Sequence, residues 1–354
     1  LAGGLYMMWR VGGMGIVVLF VALLSAVGQG GYHLLKAESP GGIVFEKDAP
    51  RIADTAKEMW KIYAVFSLAQ VAAMMATGTS LWDAVTHTFA TMSTGGFSPH
   101  VESIGYFGPA TQWVVIVFMF AAGANFTLYS HLLRGRWRLV ARNPELIGYT
   151  AIMLGCGILG AIVIPSRGGA GERFRDSLFA VVSVGTTTGF VTVDFDRWPE
   201  IMRLVLVLLM FVGGCMGSTG GGMKVARIIL FAKAIVGEMF QLLFPHAVRP
   251  VRSGGRVVDR RLVQNIMAFG LAYLAFFTAG TAVMAACGYD LVTSTTATAS
   301  CLGNVGPGLA RVGPVFNYRH LPDVATWAMS VLMLVGRLEI WSVVILLTPW
   351  AWRR

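Results

Sequence analysis

Apolar runs long enough to cross a lipid bilayer recur along this chain, at 11–27, 62–77, 112–129, 146–164, 201–212, 228–244, 266–287 and 324–347. A hydrocarbon core about 30 Å thick takes about 20 apolar residues wound as helix, and lipid offers no partner to an amide or carbonyl left unsatisfied. The runs at 201–212 and 228–244 are short and flank a glycine cluster, so they read as one interrupted span, giving seven crossings. Composition agrees: 55% of the residues are hydrophobic, 13% are charged and mean hydropathy is +0.66, which excludes an ordinary soluble domain. The fold class expected is an all-α integral membrane protein.

A net charge of +10 could suggest nucleic acid, but the charges lie between the apolar runs, where an excess of Lys and Arg in cytoplasmic loops is the simpler account. Between Lys224 and Arg261 eight Lys or Arg stand against Glu238 and Asp259, and RGRWRLVAR carries Arg134, Arg136, Arg138 and Arg142 without an acid. These loops are expected to be cytoplasmic. The acid-bearing stretches FSPHVESIGYFGP and FVTVDFDRWPE are expected outside, and Trp9, Trp60, Trp113, Trp198 and Trp327 fit interfacial anchors near span ends. Cys156, Cys215, Cys287 and Cys301 have no CxxC spacing and the six histidines are scattered, so packed thiols and isolated imidazoles are expected, not a disulfide framework or a metal site.

Internal repetition carries the reading further. WDAVTHTFATMSTGGF, RDSLFAVVSVGTTTGF and YDLVTSTTATASCLGN each set an aspartate (Asp83, Asp176, Asp290) thirteen positions before a glycine (Gly96, Gly189, Gly303). Each unit reads as spanning helix, short helix, polar extended stretch, spanning helix. The aspartates are expected as helix N-caps, and ten residues of helix rise about 15 Å, half of the hydrocarbon core, so the short helix must re-enter. Non-helical backbone at that depth has to be buried in protein or line water. Carbonyls of 187–190 can then point at a dehydrated cation, with glycine supplying the backbone angles and the helix C-terminus about half a negative charge. Two crossings separate successive units, so all three enter in one direction and can surround one axis, whereas an inverted-repeat carrier needs an odd number. The arrangement expected is a pore.

These residues carry a resemblance. Units ending in STGGF, TTTGF and LGNVGPG, with GSTGGGMK inside the interrupted span, VGRLEIW in the last span, and WRVGGMGIVVLFVALL and LLKAESPG near the start, resemble the Trk/Ktr/HKT superfamily of potassium transporters over nearly the whole chain. The resemblance implies M1–pore helix–M2 units in pseudo-four-fold arrangement around one pore, three of whose filter segments are visible. It divides the chain into 1–32 (M2 of the first repeat), 33–135, 136–262 with an interrupted M2, and 263–354. The first M1, pore helix and filter are expected to precede Leu1. It further implies K⁺ as the transported ion, with Rb⁺ as a possible substitute, no covalent cofactor, a homodimer in a bacterial inner membrane, and a cytoplasmic nucleotide-binding regulatory subunit of the RCK/KTN type. Filter residues carried over are Thr94, Gly95 and Gly96; Thr187, Thr188 and Gly189; and Leu302, Gly303, Asn304 and Val305.

The segment GGCMGSTGGGMK invites a phosphate-loop reading and fails it, since Lys224 follows Met223 and no Ser or Thr follows the lysine. Glycines for close helix packing remain one reading. The resemblance implies the other, an intramembrane gate built of Gly213, Gly214, Gly217, Ser218, Thr219, Gly220, Gly221, Gly222 and Lys224, with Arg337 facing it from the last span. An ion pair of Arg337 with Glu339, or a snorkelling arginine, is the structural alternative. GGMG at 12–15 reads as packing inside a span. The function expected is potassium uptake through a carbonyl filter. A secondary carrier for a small solute or anion, using the broken helix as binding site, is the alternative. With no Ser–Lys dyad, paired aspartates or HExxH in the spans, an enzyme is not expected.

Overall fold

The computed structural model describes residues 49–165, 169–244, 252–254 and 256–347. The expected span at 11–27, the unit at 1–32, the glycines at 12–15 and Trp9 lie outside them. The described residues are almost wholly helical; a two-residue antiparallel pair, β1 (Arg252–Ser253) and β2 (Arg256–Val257), is the exception among them. Among the described residues three helices are each long and apolar enough to cross a membrane: α1 (Ala49–Ala76) from Lys57, α6 (Pro144–Val163) and α10 (Arg260–Ala286). Leu68, Ile162 and Leu271 are more than two-thirds exposed on their outer faces, as lipid contact requires.

Three short helices lie inside: α2 (Leu81–Met92), α7 (Ala170–Gly185) and α11 (Leu291–Gly303). Each packs between its own flanking helices: α2 between α1 and α3 (Pro109–Gly123), α7 between α6 and α8 (Glu200–Val212), α11 between α10 and α12 (Asp323–Arg337). The second and third also meet the preceding unit in the same way, α7 touching α3 and α11 touching α8, so one unit is carried onto the next by rotation. The inner helices are rich in buried hydroxyls, which would be costly unpaired. Many bond back one turn, Thr91 to His87 O (2.7 Å), Thr186 to Val182 O (2.7 Å) and Thr298 to Ser294 O (2.8 Å), leaving small smooth surfaces that pack closely.

The helix starts correct one expectation. Only Asp290 is the N-cap, accepting from Thr293 N–H at 3.1 Å. In α2 the cap is Ser80, whose hydroxyl accepts from Asp83 N–H and donates to the Asp83 carboxylate, a capping box with Asp83 in the first turn. Asp176 lies inside α7, which begins six residues earlier, and pairs with Arg175 at 2.8 Å.

Two apolar runs read as continuous are broken. The run 112–129 divides between α3 and α4 (Phe126–Leu133), whose axes meet at 96°, because Asn125 leaves the helix and caps a new one through Thr127 N–H. A short helix α5 (Trp137–Ala141) follows. The run 324–347 divides between α12 and α13 (Trp341–Leu347), with Glu339 at φ +53° between them. The interruption expected in the 201–244 region is present: α8 ends at Val212, and α9 (Val225–Leu243) begins after a twelve-residue excursion over 213–224.

Candidate functional site

Each inner helix ends the same way. Thr94, Thr187 and Asn304 take a left-handed backbone (φ +51°, +59° and +57°), and two residues later a glycine does so again, Gly96 (+64°), Gly189 (+82°) and Gly306 (+110°). The hydrogen bonds repeat in step: Thr94 N to Thr91 O, Thr187 N to Val184 O and Asn304 N to Cys301 O, then Gly95 N to Ala90 O, Thr188 N to Ser183 O and Val305 N to Ser300 O. The third segment is thereby registered three residues later than the aspartate–glycine spacing implies. Gly303 and Leu302 are the last residues of α11, not of the extended stretch, and the counterpart of Gly96 and Gly189 is Gly306. Aligning the N-caps would have found it: Ser80 and Asp290 each stand sixteen positions before their glycine, Gly96 and Gly306.

The extended stretches lie side by side. A Cβ placed on Gly96 would fall 1.9 Å from Thr188 O, and one on Gly189 would fall 2.0 Å from Val305 O. Thr188 and Val305 are equivalent in the repeat, so the same carbonyl of each stretch packs against the glycine of the one before. Ser183 donates to Phe190 O (2.6 Å) and Ser300 accepts from Gly306 N–H (3.0 Å), tying each stretch to its helix. Outside the first stretch, His87 Nε2 meets Ser98 Oγ at 2.9 Å and His100 Nε2 meets the Asp83 carboxylate at 3.0 Å, a brace with no repeat counterpart to signal it in the sequence.

Directly beneath lies the excursion over 213–224. Its ends pin each other, Met223 N to Phe211 O and Val225 N to Gly214 O. Its tip fills the space under the inner helices: a Cβ on Gly221 would lie 2.5 Å from Gly303 O, and one on Gly220 2.9 Å from Thr186 O. The left-handed threonines hold it, Thr94 Oγ1 donating to Thr219 O (2.9 Å) and Thr187 Oγ1 accepting from Gly221 N–H (2.6 Å). Arg337, at the C-terminus of α12, donates to the same Thr219 O at 3.0 Å, and Lys224 Nζ donates to Gly220 O. Glu339 pairs with Arg227, so the expected alternative of an Arg337–Glu339 pair is replaced. The other limb hangs from the α3–α4 break, Cys215 N to Gly123 O (2.8 Å), Phe126 N to Gly217 O (3.2 Å) and Thr219 Oγ1 to Ala122 O (3.2 Å). Glu145 on α6 accepts from Met216 N–H at 2.6 Å. Neither Glu145 nor the α3–α4 break stands out in the sequence, because each acts through backbone groups of a distant segment.

The arrangement sets the extended stretches side by side over a glycine-rich loop with two cationic neighbours, Lys224 and Arg337. The sequence matches the TrkH family, described as "Cation transport protein", over 5–140 and 164–350. It is 37% identical over 347 residues to the Trk system potassium uptake protein TrkH of Escherichia coli K12, covering 97% of this chain and 71% of that protein. Against TrkH of Halomonas elongata the identity is 40% over 351 residues, with 97% and 72% covered. The crystal structure of the potassium transporter TrkH from Vibrio parahaemolyticus superposes with a TM-score of 0.85 at 35% identity, over 99% of this chain and 72% of that one.

Proposed function

This chain belongs to the TrkH family of cation transport proteins, and from that premise we propose that it takes up K⁺ across a bacterial inner membrane through a backbone-carbonyl filter gated by the 213–224 loop. One observation carries the reading: the carbonyls of Thr188 and Val305 take equivalent positions, each against the glycine of the preceding stretch, Gly96 and Gly189 respectively, which supports a repeat that delivers its oxygens to a common axis. The filter in its corrected register is Thr94 to Gly96, Thr187 to Gly189 and Asn304 to Gly306. Entering K⁺ exchanges hydration water for these oxygens, while the C-termini of α2, α7 and α11 contribute negative potential beneath it.

The gate closes by occupancy and by charge. A monovalent cation passing about 4 Å from the Arg337 guanidinium meets about 4 kcal/mol of repulsion at an effective dielectric constant of about 20. That is roughly a thousandfold in rate. Conduction therefore needs the Thr219 carbonyl to leave Arg337 and the loop tip to leave the axis. Basic segments around Arg134–Arg142 and Arg252–Arg261 face the cytoplasm in this reading, where a nucleotide-binding regulatory subunit docks on a homodimer; the family resemblance supports both partners.

The test is ⁸⁶Rb⁺ uptake into proteoliposomes with K⁺ and Na⁺ as competitors. Gly189→Ala puts a methyl group about where Val305 O now lies, so selective uptake is expected to vanish while the protein remains folded. Wild-type uptake with wild-type preference for K⁺ in that variant overturns the filter.

A further inference from the structure

The loop is held from a helix that takes no part in the filter. Asn143 caps α6, its side chain accepting from Glu145 N–H and Leu146 N–H at 3.0 Å each, with Pro144 at the first helical position. This cap sets Glu145 in the first turn, on the side of α6 that meets α9. The two helices approach closely there: a Cβ on Gly148 would fall 2.9 Å from Ile229 Cδ1. The Glu145 carboxylate accepts from Met216 N–H at 2.6 Å, near the start of α9. One side chain thus bonds the descending limb of the loop while its charge faces the Lys224 ammonium at the loop's other end. The remaining anchors of that limb are backbone amides and carbonyls of the α3–α4 break, which substitution cannot remove.

We propose that Glu145 is the positioning residue that staples the two ends of the 213–224 loop and keeps its tip under the filter. Resting on the gate reading above, it adds a place where the cytoplasmic side can act. Asn143 follows the arginine-bearing segment of α5 by two residues, so a displacement of that segment moves Glu145 and, through Met216, the loop.

Cys215, fully buried and adjacent to Met216, reports the loop position without reference to transport. The experiment compares wild type, Glu145→Ala, Glu145→Asp and Glu145→Gln in proteoliposomes. ⁸⁶Rb⁺ efflux and K⁺ over Na⁺ preference are measured, together with the rate of Cys215 alkylation by a maleimide, read by peptide mass spectrometry. Glu145→Ala is expected to raise Cys215 labelling at least tenfold and efflux at least fivefold, with ion preference kept. Glu145→Asp, a methylene too short to reach Met216, is expected to do the same in smaller measure, and it serves if the alanine variant does not fold. Glu145→Gln retains an acceptor oxygen and is expected within twofold of wild type. Unchanged labelling in Glu145→Ala and Glu145→Asp overturns the staple, as does a glutamine variant as labile as alanine. Failure of the gate reading is separate: it appears as efflux unchanged from wild type while Cys215 labelling still follows Glu145.

Discussion

Thr94 and Thr187 are β-branched residues at positive φ, a combination that costs on the order of 1–3 kcal/mol and persists only where the surroundings fix it. What fixes it here is the loop: the strained backbone turns both hydroxyls inward, one to Thr219 O and one to Gly221 N–H. Asn304, at the third such position, reaches left-handed geometry at less cost and also lies against Gly221. In the proposed reading the same residues shape the filter with their backbones and hold the gate with their side chains. Thr187→Val separates the two roles, because valine keeps the branching and the volume but offers Gly221 N–H no acceptor. An unsatisfied buried donor costs about 1–3 kcal/mol, which in a closed–open equilibrium is roughly 5- to 150-fold. Basal Rb⁺ leak through purified protein is expected to rise within that range with K⁺ preference intact, and a leak equal to wild type removes the threonine from the gate.

At the scale of elements, the inner helices owe their starts to different devices, and their stability should differ accordingly. Asp290 caps α11 outside the spans; hydrogen bonds from the Thr293 hydroxyl and amide hold its carboxyl below the usual range. Asp290→Ala is expected to cost about 1 kcal/mol, read as a lower Tm in detergent, whereas Asp176→Ala removes only a pair with Arg175 and is expected to cost less. Because the folded pKa of Asp290 lies below its unfolded value, its contribution is fully present above the ordinary carboxylate range and fades as pH falls through the folded value. The Tm gap between wild type and Asp290→Ala should therefore narrow in acid. These starts also explain what could be read beforehand. Short inner helices and the glycine break followed from segment length and hydropathy, which lipid enforces strictly. The register of the third stretch did not follow, because aspartate serves as cap in one unit, as capping-box partner in another and as interior residue in the third. The 96° break at Asn125 was hidden by flanks as apolar as any continuous span.

For the molecule as a whole, three units repeat by rotation but the loop belongs to one of them, so closure is asymmetric in chain and distributed in contact. Thr219 O is bound by Thr94 of the first described unit and Arg337 of the third, Gly221 N–H by Thr187 of the second, and the loop's outer limb by the α3–α4 break. In the proposed reading opening breaks bonds to all three units, which favours a two-state gate over a graded one. Deleting Gly220 to Gly222 removes the tip that lies against Thr186 O and Gly303 O, and shortens the excursion so that Lys224 is withdrawn with it. Rb⁺ flux is expected to rise, with selectivity retained because the carbonyl stretches are untouched. Arg337→Ala is expected to raise flux as well, since it removes charge at the same carbonyl. If both act on one barrier, the double variant should fall well short of the product of the single effects, the non-additivity expected of groups in direct contact. Flux unaltered by the deletion discards the loop as gate, and fully multiplicative effects would mean that Arg337 sets a barrier of its own elsewhere along the ion path.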